Sequence, residues 1–267
     1  MKKSNITYVT GLWDLTREGR DFEEWYLPAF IKLLSMDISL AIFASKDLED
    51  IIWEHREKDN TVIYITELED IKEFYGPHWD KTQAIRTDPE WYNQAEWLKG
   101  SPQTVLEYYN PIVMSKLPWL NNVSIFNPFD SKYFYWVDAG ITNTVSYELL
   151  SSGVLNKTED DSFLMLSYPH LVDTEIHGFE REAIARHCNV DFVDYVCRGG
   201  FFGGKRFAIG MLNTQYYGLV NDTLHEGYMG TEESIFTILA HDDDNLITRF
   251  DLKGGGIQPY FEHLEKQ

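Results

Sequence analysis

The chain has 267 residues, 43% hydrophobic and 15% aromatic, with 23 Lys and Arg against 43 Asp and Glu for a formal net charge of −20. That length suits one large α/β domain with a full core. So acidic a surface repels phosphate backbones and anionic membranes, and no nucleic-acid partner is expected.

Ile6 to Thr10 reads as a first strand, followed at once by Gly11 and a polar loop holding Asp14, Arg17 and Arg20. Phe22 to Met36 has the apolar spacing of a helix, which Pro28 is expected to kink or shorten. Leu40 to Ala44 and Thr61 to Thr66 are further strands, with a helix over Leu48 to Arg56 between them. This alternation predicts an α/β fold with a central, mostly parallel sheet flanked by helices. Glu67 to Gly100 is broken by Pro and Gly and reads as short helices. Thr104 to Leu117 is amphipathic and helical with Pro111 as an interruption, and Pro118-Trp119 begins a loop.

Tyr133-Phe-Tyr-Trp-Val is a buried strand that ends on Asp138, Ala139 and Gly140. Such an ending delivers a carboxylate to the rim of the sheet, where open α/β sheets bind ligands, or else caps the next turn. Tyr147 to Val154 is helical or irregular, Phe163 to Ser167 a strand, and Glu180 to His187 a short helix. Phe192 to Cys197 is a strand leading into Arg198-Gly-Gly-Phe-Phe-Gly-Gly-Lys205, a segment too rich in glycine for ordinary strand sequence. Helices over Phe207 to Val220 and Thr231 to Ala240, a strand over Leu246 to Phe250 and a loop-like tail with a short helix complete the chain. The Asp242–Asp244 run reads as a solvated turn.

Several constellations suit a nucleotide or sugar ligand. Thr10 and Gly11 present backbone at a strand end, and Arg17 and Arg20 can pair with phosphate or lie solvated. Asn110 and Lys116 precede the Asp138 strand, and a Lys aimed at the rim can neutralise a diphosphate or, as single lysines more often do, lie solvated. Asp138 can ligate Mn²⁺ or Mg²⁺ with phosphate oxygens completing the shell. Phe202 can stack on a sugar while Gly203 and Gly204 let it approach the backbone, or the glycines form a bulge. Thr231 caps a helix whose first carboxylates, Glu232 and Glu233, suit the helix dipole and also serve as base candidates. The G-x-G-x-x-G, phosphate-loop and G-x-S-x-G patterns are absent. The two cysteines, Cys188 and Cys197, have no metal-ligand spacing and suggest no disulfide framework, which points to a reducing compartment. The Met-Lys-Lys start lacks an apolar segment, and no run approaches the ~18 residues of a membrane span. The expectation is a soluble cytoplasmic protein.

Taken together, these segments resemble the HtrL/YibB family of bacterial and phage proteins, which looks like a group of GT-A-type glycosyltransferases. The resemblance covers most of the chain. It rests on Ile6-Thr-Tyr-Val-Thr-Gly, Tyr133-Phe-Tyr-Trp-Val-Asp-Ala-Gly-Ile, Gly200-Phe-Phe-Gly-Gly and Gly230-Thr-Glu-Glu-Ser-Ile-Phe. It implies a single GT-A-like domain over residues 1–267. About 1–140 would bind a nucleotide-diphosphate sugar, most readily a UDP-sugar, and about 141–267 a glycan acceptor. Thr10, Gly11, Arg17, Arg20, Asn110, Lys116, Ala139 and Gly140 would lie on the donor side, and Phe202, Gly203 and Gly204 on the acceptor side. The D-x-D metal motif of GT-A enzymes would fall at Asp138-Ala139-Gly140, where Gly140 replaces the second acid and His263 is a candidate further ligand. Glu232 or Glu233 would match the acid placed near the acceptor. The alternatives are a non-catalytic carbohydrate- or nucleotide-binding protein on the same fold and a nucleotidyltransferase. Gly11-Leu-Trp-Asp-Leu is a poor match to the Gly-rich basic loop that the latter needs.

Overall fold

The computed structural model describes residues 3–171, 175–242 and 245–267. The first two residues and the last two of the Asp242–Asp244 run therefore lie outside the described residues, while Asp242 ends a helix. The apolar, β-branched and aromatic runs form the strands, since such side chains pack well on a pleated surface. They are β1 (Ile6–Leu12), β2 (Ser39–Ala44), β3 (Thr61–Ile65), β4 (Tyr133–Val137), β5 (Phe163–Pro169), β6 (Glu175–Ile176), β7 (Phe179–Glu180), β8 (Tyr195–Lys205) and β9 (Ile247–Asp251). Seven of them make one sheet in the order β3-β2-β1-β4-β8-β5-β9, and β6 and β7 pair as a hairpin. The large sheet is parallel throughout except for β8, which runs antiparallel to both β4 and β5.

Side chains alternate between the two faces of each strand, as a period of two requires. Phe134 and Trp136 of β4 join one buried cluster, with Leu117, Trp119 and Leu120 of helix Lys116–Phe126 and Ile209 and Leu212 of helix Arg206–Glu226. Tyr133, Tyr135 and Val137 join the other, with Phe30, Leu33 and Leu34 of helix Leu27–Leu34 and Phe261 of the terminal helix Gln258–Glu265. Both faces of the sheet are thus covered, and the expected mostly parallel mixed sheet flanked by helices is present. Both cysteines are buried and free.

Thr104 to Leu117 divides among helices Pro102–Val105, Tyr109–Met114 and Lys116–Phe126, and three further local readings change. Pro118 does not begin a loop but sits in the first turn of helix Lys116–Phe126. There a missing N–H costs nothing, because the first four N–H groups of a helix have no intrahelical partner. Phe22 to Met36 divides into a wide turn over Phe22–Tyr26, capped by the Asp21 side chain, and a helix that starts at Leu27 with Pro28 in its opening turn.

The third change matters most for the site. The glycine-rich segment is strand, within β8. Between the pairs Met165↔Phe202 and Ser167↔Cys197 the register shifts, so Arg198–Phe201 bulge out of the ladder with β5. Such bulges re-aim the chain near functional sites.

Candidate functional site

The C-terminal ends of the parallel strands open into a cleft of about 730 Å³. Strand β4 carries Asp138 there, and the Asp138 N–H donates to the carbonyl of Gly200 on the bulge (3.0 Å). The indole N–H of Trp136 donates to Asp138 Oδ1 at 2.7 Å. Lys116, at the start of its helix, reaches the same atom at 2.9 Å.

Lys116 is the centre of the cluster. Its ammonium also meets Glu232 Oε1 at 2.7 Å and donates to the Gly199 carbonyl at 3.1 Å. The Lys116 and Glu232 side chains are 9% and 5% exposed, against 41% for Asp138. Burial opposes the ammonium's charge, but Asp138 and Glu232 together outweigh it and hold the Lys116 pKa above its ordinary value. Burial, aided by Glu233 and Asp138 and opposed by Lys116, pushes Glu232 up to about 7.

Glu233 is held differently. It accepts from the Gly199 N–H at 2.8 Å, lies 3.3 Å from the Arg198 guanidinium, and meets His177 Nε2 at 3.1 Å. Burial opposes the charge of Arg198, yet Glu233 and Tyr168 leave its pKa above the usual value. A Cβ on Gly199 would stand 2.1 Å from Glu232 Oε1. Glycine is what lets the bulge pass over both carboxylates.

Of the sequence candidates, Gly11, Arg17, Arg20, Lys116, Asp138, Ala139, Gly140, Glu232 and Glu233 line the cleft. Arg17 donates to the Tyr26 hydroxyl (2.9 Å), and the Arg20 guanidinium lies 5.5 Å from the Trp25 ring centre. Thr10 and Asn110 do not line it; both are fully buried, and Asn110 donates to the Gln103 carbonyl.

The remaining candidates lie elsewhere. Phe202 is fully buried against Trp136, Phe163 and Phe236 in the core. Gly203 and Gly204 pair with Tyr135 and Phe134 inside the sheet, where a Cβ would strike the Phe134 and Ser162 carbonyls at 2.2 and 1.9 Å. His263 is exposed on the terminal helix, its ring against Phe250. None of these four lines the cleft.

Two residues escaped the sequence reading. Arg198 precedes the glycines but was not singled out, and His177 was one scattered histidine among eight. His177 occupies the tip of the β6–β7 hairpin with φ +52°, next to Gly178 at φ +91°. A two-residue turn between apolar Ile176 and Phe179 was the available signal, although His-Gly is a less familiar turn pair than Asn-Gly.

The chain is an α/β domain whose seven-stranded, mostly parallel mixed sheet is flanked by helices and carries a charged cleft at its C-terminal rim, where open α/β sheets bind ligands. The chain belongs to the HtrL/YibB family, described as bacterial proteins of unknown function, which it matches over residues 4–254. No curated protein is a significant sequence match. Among solved structures, core-mannan synthase A of Aspergillus fumigatus in a Mn/GDP form is 10% identical, with a TM-score of 0.49 over 93% of this chain and 73% of that one. Apo mouse xyloside xylosyltransferase 1 is 9% identical, with a TM-score of 0.44 over 93% and 85%. The 4-diphosphocytidyl-2C-methyl-D-erythritol synthase of Anaerococcus prevotii is 11% identical, with a TM-score of 0.41 over 98% and 95%. Likenesses this remote carry no substrate across. Among the described residues, no helix is long and apolar enough to cross a membrane.

Proposed function

We propose that the protein is a glycosyltransferase that takes a sugar from a nucleotide-diphosphate donor, a UDP-sugar first among them, and passes it to a glycan acceptor. The charge pattern of the cleft is the observation that supports this best. Arg17, Arg20, Lys116 and Arg198 line it against Asp138, Glu232 and Glu233. That is a slight cationic excess in a chain of net charge −20. An anionic diphosphate suits such a local reversal of field.

In this reading the half over about residues 1–140 binds the nucleotide, with Gly11, Arg17, Arg20, Ala139 and Gly140 nearest to it. The half over about 141–267 receives the acceptor beside Glu232 and Glu233. Lys116 stabilises charge on the departing diphosphate. One of the two glutamates takes the acceptor hydroxyl proton if the reaction inverts.

A divalent ion belongs to the same proposal. Among the described residues no three His, Cys, Asp or Glu gather as a metal cluster. Asp138 Oδ1 is taken by Trp136 and Lys116, which leaves Oδ2 of a partly exposed carboxylate. One such oxygen fits a hard cation that arrives with the donor and is completed by phosphate oxygens and water. When bound, Mn²⁺ or Mg²⁺ would supply further neutralisation of the leaving diphosphate.

A second reading, a non-catalytic carbohydrate- or nucleotide-binding protein on the same fold, is favoured by one observation. Glu232 and Glu233 are both already engaged by cations of the protein itself.

The test is a thermal-shift screen of UDP-, GDP-, CMP- and TDP-sugars with and without Mn²⁺, with nucleotide release followed in parallel. One nucleotide class should stabilise the protein by ~2.7 kcal/mol at a hundredfold excess over its dissociation constant. Asp138→Ala should abolish release while melting cooperatively. Binding without release would select the second reading, and no shift with any donor would sink the transferase and leave only the binding of free carbohydrate.

A further inference from the structure

A second cavity, of about 200 Å³, lies among helices Leu68–Tyr75, Lys116–Phe126 and Arg206–Glu226. Aromatic rings dominate its wall: Phe74, Tyr75, Tyr216 and Tyr217. Among the described residues no Asp, Glu, Lys or Arg lines it, although these make up 25% of the chain.

Three of its lining residues hold a buried polar atom without a hydrogen-bond partner among the described residues: His78 Nε2, Ser115 Oγ and Asn213 Oδ1. His78 and Ser115 are 3% and 1% exposed. Buried polar atoms are nearly always paired, by protein or by water, so these three wall residues can offer hydrogen bonds to an occupant once their side chains turn toward the cavity. Burial, with a smaller contribution from His225, holds the His78 pKa below its ordinary value and favours the neutral imidazole. A neutral imidazole has one donor and one acceptor nitrogen. The His78 ring stands edge-on to Tyr217 at 4.8 Å and to Tyr75 at 5.6 Å.

We propose that this cavity is a second ligand site, separate from the cleft, for a small neutral aromatic molecule that carries hydrogen-bonding groups. The rings take the body of the ligand, and the absence of lining charge selects against an ionised one. Phe74 and Tyr217, 43% and 49% exposed, give it access from solvent.

The cavity and the cleft share no lining residue, yet they use one stretch of chain. The cleft takes Tyr109, Ile112, Val113 and Lys116, and the cavity takes Met114, Ser115, Pro118 and Asn122. The Tyr216 hydroxyl donates to the Met114 carbonyl (3.0 Å) and ties the long helix to that stretch. An occupant therefore packs against the reverse side of the turn that presents Lys116.

The experiment uses the full chain, with phenol and indole as probes in ligand-observed NMR titrations. At least one probe should bind wild type saturably at a single site, and an excess of UDP should leave that binding unchanged. Asn122→Trp, at a half-buried wall position, should plug the cavity and abolish binding. Ser115→Ala should weaken binding roughly fivefold, by the loss of one hydrogen bond. It should also raise the melting temperature, because an unpaired buried hydroxyl is gone. Should Asn122→Trp not fold, Asn213→Trp, at another half-buried wall position, takes its place with the same expected loss. The proposal is overturned if neither probe binds folded wild type saturably. Displacement by UDP, or binding that survives the plugging variant in a cooperatively melting protein, would overturn it equally.

Discussion

Strand β8 carries two glycine pairs, Gly199-Gly200 and Gly203-Gly204, and the neighbours that require them differ. At Gly203 and Gly204 an added Cβ would meet backbone, the Phe134 and Ser162 carbonyls at 2.2 and 1.9 Å. Gly203 also has φ +146°, a conformation that favours glycine. At Gly199 the Cβ would meet a side chain, the Glu232 carboxylate, and at Gly200 it would stand 3.6 Å from Asp138 Oδ2, an ordinary contact. One pair lets the antiparallel strand close between β4 and β5. The other lets the strand bulge over the charged cluster. The same dipeptide thus serves the sheet at one end and the cleft at the other.

That contrast predicts a graded series. Gly204→Ala should be the most damaging, because a sheet carbonyl cannot move aside, and should cost more than about 3 kcal/mol in chemical denaturation. Gly199→Ala should cost about 1–2 kcal/mol, since a side chain can give way. It should also weaken nucleotide binding, on the order of tenfold, by displacing the Lys116–Glu232 pair. If both variants lose the same stability, the distinction between the two pairs fails.

Glu232→Gln probes the cluster by pH. Burial raises the Glu232 pKa from 4.5 to about 7, so the folded state favours the protonated form. The stability this contributes is present below about 4.5 and is lost as pH rises through about 7. Urea melts across that window should show wild type losing stability relative to Glu232→Gln, and parallel curves would refute the assignment. Gly200→Ala should have the smallest effect, within about 0.5 kcal/mol by the same melts. A larger loss would mean that Gly200 packs as tightly as its neighbour.

The strands were legible because their signal is local. Tyr133 to Val137 reads as a buried strand from five consecutive residues, and the position of Asp138 at its end follows from that reading. Pro118 misled because a proline looks the same whether it ends a helix or sits in its first turn. What differs is whether its N–H would have had a partner. The Gly-Gly-Phe-Phe-Gly-Gly segment misled for a related reason. Glycine is depleted in strands generally, but β8 needs it where adjacent backbones and a glutamate approach too closely for a Cβ. Arg198 and His177 had no pattern to mark them, and both meet the carboxylate of Glu233, which lies far from them in sequence.

By itself the sequence determined the alternation of strands and helices, the family, and the delivery of Asp138 to a strand end. These depend on residue periodicity and on motifs read along a contiguous chain. Only the tertiary structure decided that Lys116, Asp138 and Glu232 form one charged cluster, with Lys116 and Glu232 buried in it, while Phe202, Gly203 and Gly204 belong to the sheet interior. Contacts between residues 116 and 232, or 204 and 162, depend on strand order and register. Those are set by the packing of both faces at once, and no local stretch of sequence encodes them.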